Sequence, residues 1–458
     1  MGKPDDRTPE DPEDDDSQDG GNDGWPDFSG MADQMRQFLD SDGNLNFDKL
    51  MGGLKAALGQ TSGGTDPASG LNWQAVASNV GNLVAAAGPE PASTFALGDL
   101  TDSYLLANRW LDEVTAFDGE SLNLELWNRT RWVDRTLAAW RSMCAPIVAS
   151  LGEALIGVAS ENLAGATPEL AALADLVAPM MRATAGEFYS TRLSKAIADL
   201  ACSTLSGTDA ALPLVAPPTV ALLPGNIAAF TQGLAAPATD ISVYLLAREC
   251  ARQRLFAATP WLGPQILALI EHYARELTID PAVLREGFDA ETMSEMTPEH
   301  LAEISSQIED RLFRPATTDE QKAILVRLET LICLVEGWVE TVVNQAAGPW
   351  LESGPALAET MQRRRAAKGP AERALASIVG ISLSSRRVRD AANLWAAVQH
   401  DRGATGRDAI WGHPDLLPSA DDLDDVMGFV ARTGQAKSDP MDDQLNWLVD
   451  QWRKDNEA

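Results

Sequence analysis

The chain has 458 residues, 45% of them hydrophobic, and it carries 36 basic against 67 acidic residues, for a net charge of −31. This apolar content excludes a chain that is disordered throughout, and the length exceeds one average domain of about 100–200 residues. A surface this acidic repels phosphate backbones and anionic lipid headgroups, so we expect neither nucleic acid nor a membrane as a partner.

The N-terminal segment differs in composition from the rest of the chain. Residues 1–30 contain eleven acidic and two basic residues, residues 31–60 carry a short amphipathic pattern, and a Gly/Ser-rich linker follows at 59–70. Ordering residues 1–30 would cost backbone entropy with little apolar burial to offset it, so we predict that residues 1–70 form a disordered acidic arm with a short amphipathic helix and a linker. The start of the chain lacks a signal-peptide pattern, and we expect a cytoplasmic protein.

Helical periodicity begins at Trp73. Apolar residues recur at spacings of three and four up to about Leu205, which predicts helices at 131–160, 168–184 and 187–204. Residues 211–227 contain four prolines, which exclude a continuous helix. This connector allows one short edge strand around 219–223.

The second half of the chain is also predicted to be helical. Helices are expected at 241–258, 264–277, 318–346, 355–367, 385–399 and 442–453, with a pair of acidic helices over 280–312 and a Gly/Pro-rich stretch at 401–420. We therefore predict a mainly α fold with few or no strands. Its expected parts are an N-terminal helical subdomain at 71–210, a helical core at 211–435 and a C-terminal amphipathic helix at 436–458.

The histidines and cysteines give only weak indications of a metal site. No two of the four histidines are spaced i, i+4, so a zinc site with two histidines on one helix is excluded. His272 and Glu276 could form half of a metal site, but an exposed pair is the more common arrangement. His413 lies close in sequence to three aspartates, which suits either an oxygen-ligated cation or, more often, a capped loop. The four cysteines lie far apart, and we expect them to be reduced.

The segment 241–262 places ionisable residues inside an apolar helix. Arg248 and Arg252 are one turn apart, with Glu249 between them. Because burying an unpaired charge costs several kcal/mol, an anionic group should face these arginines. Glu336, in the apolar run 328–343, and Glu249 itself are the candidates. A salt-bridge network that joins two core helices is the more common reason for such a pattern.

Five segments of the chain resemble a zincin-like metallopeptidase family that is common in actinobacteria. They are LLPGNIAAF (222–230), YLLARECARQRLFAATPWL (244–262), LVEGWVETVV (334–343), MQRRRAAKGPAERALASIVGISLSSRRVRDAANLW (361–395) and GRDAIWGHPDLLPSADDLDD (406–425). Members of this family are often labelled as hydrolases or linked by name to the biosynthesis of coenzyme F420. The resemblance implies a zincin-like multi-helix domain.

The resemblance also indicates where a zinc site would lie. Metallopeptidase-like members carry HExxH on one helix and a further ligand on a later EGH-type helix, and these positions correspond here to Arg248-Glu249-x-x-Arg252 and Glu336-Gly337-Trp338. Guanidinium and indole groups cannot ligate zinc. We therefore expect no bound metal, with the arginines pairing Glu249 and Glu336 in the place of zinc.

Three functions are compatible with this sequence. The first is a binding or scaffold protein without catalytic zinc, in which Arg248, Arg252, Glu336 and Trp338 bind an unidentified peptide, protein or small anion. The second is a zinc-dependent hydrolase in which Glu249 is the general base and the ligands come from His272, His413 or the aspartates of 421–425. The third is a helical adaptor with a solid core around Arg248.

Overall fold

A computed structural model of the chain describes residues 66, 69–92, 97–163, 168–209, 211–275, 318–367 and 385–434. They form, in chain order, α1 (Trp73–Ala86), α2 (Leu97–Asp112), β1 (Asn123–Leu126), α3 (Arg129–Leu163), α4 (Pro168–Ser203), β2 (Thr219–Leu222), α5 (Pro224–Phe230), α6 (Ala238–Ala258), α7 (Leu262–Arg275), α8 (Asp319–Ala347), α9 (Gly354–Ala366), α10 (Ser385–Ala409), α11 (Ala420–Asp424) and α12 (Val426–Gly434). The predicted mainly α fold is confirmed. The helix pair at 280–312, the C-terminal helix and nearly all of the acidic arm lie outside the described residues.

The described residues belong to one compact unit that starts at Gly64. Strand β1 lies before the predicted subdomain boundary at residue 210 and pairs with β2, which lies after it. The predicted boundaries at residues 210 and 435 stay predictions. None of the described helices combines the length and the apolar content needed to cross a bilayer.

The two long helices α3 and α4 pack along each other, and α1 packs against both. The Asn72 side chain caps α1, where it accepts hydrogen bonds from the first-turn amides of Gln74 and Ala75. Two helices were predicted at 168–184 and 187–204, but α4 is continuous. Gly186 does not end the helix; a Cβ there would lie 2.2 Å from the carbonyl oxygen of Gly70, so the glycine allows a close chain crossing.

A two-stranded parallel sheet forms beside α6. Strand β2 confirms the predicted strand, and its partner β1 pairs with it from Asn123 opposite Thr219 to Leu126 opposite Leu222. On the other side of β2, Ser206 forms an isolated antiparallel bridge with Leu222. This bridge brings the loop at 204–209, which follows α4, next to β2. Since β2 also packs on α6, the loop lies close to the middle of that helix.

Helices α6 and α8 form the centre of the second half of the molecule. They pack against each other, α2 and α9 contact both, and α10 packs along α8. Every residue of α6 from Ile241 to Phe256 is buried, so this helix has no solvent-exposed face. Any charged side chain on α6 therefore needs a partner inside the protein.

Helix α10 lies very close to α8 and is longer than predicted. A Cβ on Gly337 would lie 2.7 Å from Cβ of Ala391, so glycine is required at this helix crossing. The helix was predicted to end at residue 399, but it reaches Ala409 with a break at Gly403, where φ is 70°. The 401–420 stretch is thus partly helical; it continues through 3-10 turns at Ile410–Gly412 and Pro414–Leu416.

Candidate functional site: a buried cluster of arginines and carboxylates

Charged side chains from four distant segments meet around the middle of α6. They are Arg248, Glu249 and Arg252 on α6, Glu336 and Glu340 on α8, Arg364 and Arg365 on α9, and Asp209 in the loop after α4. We call these eight residues the ion cluster. The side chains of Arg248, Glu249 and Arg252 are 2%, 0% and 1% exposed. The four arginines balance the four carboxylates, as a buried group of charges requires.

Glu336 lies at the centre of the ion cluster. Its Oε2 accepts hydrogen bonds from Nη2 of Arg248 at 2.7 Å and from Nη2 of Arg365 at 2.5 Å, and its Oε1 accepts from Nε of Arg252 at 2.7 Å. Burial by itself would raise the pKa of Glu336, but the charges of Arg252, Arg365 and Arg248 hold this pKa well below its ordinary value. The carboxylate is therefore ionised and bound by three guanidinium groups.

Glu249 is bound mainly by neutral donors. Its Oε2 accepts from the hydroxyls of Ser206 at 2.7 Å and Thr208 at 2.8 Å, and its Oε1 accepts from the backbone amide of Thr208 at 3.1 Å. Arg252 adds a long contact of 3.5 Å from Nη1. Burial raises the pKa of Glu249, although Arg252 and the hydroxyl donors act in the opposite direction.

The outer part of the ion cluster connects α9 to the neighbouring elements. Arg365 donates to Oε2 of Glu340 at 3.1 Å, and Gln362 donates to Oε1 of the same carboxylate at 2.6 Å. Arg364 pairs with Asp209 at 2.8 Å. Burial would raise the pKa of Asp209, but Arg364 and Arg252 lower it below its ordinary value. Helix α9 is thus held to both α8 and the loop after α4.

The predicted contacts of the two central arginines are confirmed. Arg248 and Arg252 lie in the core, both bind Glu336, and Arg252 also contacts Glu249. The predicted ligand-binding role of these residues and the predicted catalytic role of Glu249 stay predictions. Sequence reasoning missed Arg364, Arg365, Glu340 and Asp209. The only sequence signal for Arg364 and Arg365 was the run MQRRR (361–365). This signal was weak, because consecutive arginines in the last turn of a helix more often face solvent.

Trp338 belongs to a second buried group of polar side chains. Its indole nitrogen donates to Oδ1 of Asp408 at 2.9 Å, and the guanidinium of Arg407 lies 5.5 Å from its ring centre. Asp408 also accepts from Nε of Arg407 at 2.7 Å and from the hydroxyl of Thr115 at 2.7 Å. These contacts hold the end of α10 to α8 and to the segment after α2. The family segment GRDAIW (406–411) thereby has a structural role.

A residue of another family segment caps the C-terminal end of α4. Asn226, in LLPGNIAAF, donates to the carbonyl oxygens of Ala201 and Thr204, both at 2.8 Å, and accepts from Nε of Arg129 at 2.9 Å. These bonds satisfy carbonyl groups that a helix end leaves without partners. Like Asp408, Asn226 is buried and structural.

The histidines considered as metal ligands have other contacts. Nε2 of His272 lies 3.2 Å from Oε1 of Glu320, and the His272 side chain is 45% exposed. Its other possible partner, Glu276, lies outside the described residues. His413 accepts the backbone amide of Asp415 at 3.2 Å, and Ser419 forms a capping box with Asp422. The expected capped loop is therefore present around His413.

The residues of the ion cluster do not fit a zinc ion. Arg248, Arg252 and Arg365 carry guanidinium groups, which are positively charged and have no lone pair for a metal, and Glu336 already accepts hydrogen bonds from all three. Within the part of the chain that the structure describes, no three His, Cys, Asp or Glu side chains form a group that could hold a metal. The arrangement is a set of internal ion pairs.

Comparison with known proteins supports the family suggested by the sequence. The model of the zincin-like metallopeptidase family matches residues 71–430. A crystal structure from Chloroflexus aurantiacus, described as "a putative hydrolase with a novel fold", is similar with a TM-score of 0.53 and 15% identity, over 80% of this chain and 99% of that chain. No curated protein sequence matches the chain. Because the family model covers most of the sequence, the chain belongs to the zincin-like metallopeptidase family.

Proposed function

We propose that this protein keeps the fold of the zincin-like family without its zinc chemistry and acts as a binding or scaffold protein. The observation that carries the proposal is the environment of Glu336, whose carboxylate accepts hydrogen bonds from Arg248, Arg252 and Arg365. These three guanidinium groups occupy three of the roughly four lone-pair sites of the carboxylate and surround it with positive charge, which disfavours a metal cation there.

The physical reason is one of charge compensation. In a zincin the metal cation stabilises the acidic residues around it, and removal of the metal would leave buried carboxylates unpaired at a cost of several kcal/mol. Arginine supplies a permanent positive charge and five N–H donors in a fixed geometry, so it compensates the same carboxylates without a metal. The opening Arg248-Glu249-x-x-Arg252 is then a degenerate form of HExxH.

The contacts of Glu249 argue against a role as a catalytic base. As a general base it would need a water molecule within hydrogen-bond reach and a pKa suited to accept a proton. Its oxygens instead accept from Ser206, Thr208 and Arg252, and its side chain is fully buried. Its proposed role is to hold the loop after α4 on α6.

Elemental analysis together with a peptidase assay tests the proposal. We expect the purified wild-type protein to contain far less than one zinc per chain and to show no peptidase activity above that of Glu249→Gln. Near-stoichiometric zinc that is lost in Glu249→Gln or Glu336→Gln would contradict it. Activity that is equal in the wild type and in Glu249→Gln would not come from this site, because a hydrolase of this family would need the glutamate.

The alternative, a zinc-dependent hydrolase with ligands recruited from other segments, predicts the opposite result. It needs His272, His413 or the aspartates of 421–425 to converge on Glu249. His272 contacts Glu320, and His413 and Asp422 take part in the local caps described above. Both histidines are more than two-fifths exposed, whereas Glu249 is fully buried. The geometry therefore favours the metal-free proposal.

A further inference from the structure

A hollow of about 220 Å³ lies between α9 and α10, beside the ion cluster. It is lined by Glu359, Gln362, Arg363, Arg365, Ala366 and Arg389. Glu359 pairs with Arg363, and Arg365 pairs with Glu336 and Glu340, so Arg389 adds one positive charge beyond these pairs, in a protein whose net charge is −31. This local excess of positive charge has the opposite sign to the rest of the molecule, which identifies the hollow as a place where an anion is attracted rather than repelled.

Arg365 is a largely buried residue of this lining and is held by two ion pairs. Its side chain is 13% exposed, and its guanidinium is held by Glu336 on one terminal nitrogen and by Glu340 on the other. A guanidinium has five N–H donors, so these two hydrogen bonds leave others for a ligand. Gln362 is also held in place by its 2.6 Å hydrogen bond to Glu340. The side-chain donors of Arg365 and Gln362 are therefore positioned before a ligand arrives.

The other two arginines come from different helices. Arg363 pairs with Glu359 one turn earlier on α9. Arg389 lies in the second turn of α10 and is exposed, and it makes no ion pair with any residue that the structure describes. Glu359 compensates the charge of Arg363, and Glu336 and Glu340 compensate that of Arg365. Arg389 is therefore the guanidinium of the lining whose charge is not offset by an ion pair within the described residues, and an anion between the two helices would compensate it.

We propose that the hollow binds a small ligand through a phosphoryl group. A phosphoryl group carries close to two negative charges near pH 7 and has three terminal oxygens, so it can accept from guanidinium groups that approach from two helices, whereas a carboxylate offers two oxygens and one charge. The volume is below the usual 300–1,000 Å³ of sites for larger ligands, which limits the ligand to a phosphoryl group with few further atoms. The hollow shares Arg365 with the ion cluster, but phosphate binding there does not require that zinc be absent.

Calorimetric titration with inorganic phosphate tests the proposal, with acetate at matched ionic strength as the carboxylate arm. We expect saturable phosphate binding to the wild-type protein, and an affinity about tenfold lower in Arg389→Ala because one charged hydrogen bond is lost. Arg386→Ala is the matched control, because Arg386 lies on the same helix with an 80% exposed side chain and does not line the hollow. Its affinity should equal that of the wild type.

A third variant tests the charge argument in the opposite direction. Glu359→Gln removes the single carboxylate of the lining and should tighten phosphate binding. Three results would overturn the proposal: no saturable phosphate binding, an equal loss in Arg389→Ala and Arg386→Ala, or acetate binding as tight as phosphate. None of these would change the zinc content of the protein, so this proposal and the proposed function fail independently.

Discussion

Replacing Glu336 with glutamine should strongly destabilise the protein. The substitution keeps the side-chain shape but removes the charge that pairs with Arg248, Arg252 and Arg365, all of which are buried. Breaking a buried ion pair on one side costs about 3–5 kcal/mol, because the remaining charges stay in the interior without a partner. With an unfolding entropy of about 2.1 cal/mol/K per residue over roughly 360 residues, this cost lowers Tm by about 4–7 °C.

The assay is urea denaturation of the wild type and Glu336→Gln at pH 7, with Glu320→Gln as the control. Glu320 lies on the same helix, its side chain is 60% exposed, and its contact is with His272. Loss of an exposed pair costs at most about 1 kcal/mol. A free energy of unfolding for Glu336→Gln within 1 kcal/mol of the wild type would refute the view that Glu336 holds the ion cluster together.

The same pair of proteins gives a pH test with a defined sign. The pKa of Glu336 in the folded state is depressed, so its stabilising contribution is complete above the unfolded value of 4.5 and falls as the pH decreases below that value. The difference between the wild type and Glu336→Gln should therefore narrow below pH 4.5, by up to about 1.4 kcal/mol per pH unit. Because Glu249 shares Arg252 with Glu336, the comparison reports the coupled pair rather than Glu336 alone. A difference that widens in acid would contradict this reasoning.

Two further predictions concern packing and thiol chemistry. Gly337→Ala should destabilise the protein by about 1–3 kcal/mol in calorimetry, because the added Cβ would lie 2.7 Å from Cβ of Ala391. The control Gly81→Ala, which has open space around it, should be neutral or slightly stabilising. Equal effects of the two substitutions would contradict the close crossing of α8 and α10. Burial raises the pKa of Cys144 to about 12, so iodoacetamide should label this thiol only after the protein unfolds. The partly exposed Cys202 should be labelled earlier. Rapid labelling of Cys144 in the folded protein would contradict its burial.

The centre of the ion cluster was predictable because its residues conflict with their local pattern. Arg248, Glu249 and Arg252 interrupt an apolar helix, and Glu336 interrupts another, so pairing between the two helices is what burial demands. Arg365 and Asp209 could not be predicted in the same way. Their surroundings in the sequence are polar, and only the packing of α9 and of the loop after α4 buries them.

Some helices could also be predicted from the local sequence, whereas other elements depend on contacts with distant residues. Long periodic segments such as α3 and α8 were recognisable from apolar spacing alone, within a few residues at each end. Strand β1 has only the residues Asn-Leu-Glu-Leu and exists because β2 pairs with it. The extension of α10 to Ala409 depends on Arg407 and Asp408, whose buried hydrogen bonds are formed with residues nearly 300 positions away.

The way in which α9 is attached to the core has a consequence for how the molecule comes apart. Arg364 and Arg365 each pair with a carboxylate that sits on another element, namely Asp209 and Glu336. If α9 alone detached, both carboxylates would remain in the interior with fewer counter-charges, so local opening of this helix carries an electrostatic penalty in addition to the loss of its apolar contacts. We therefore expect detachment of α9 to be coupled to loosening of the central helices.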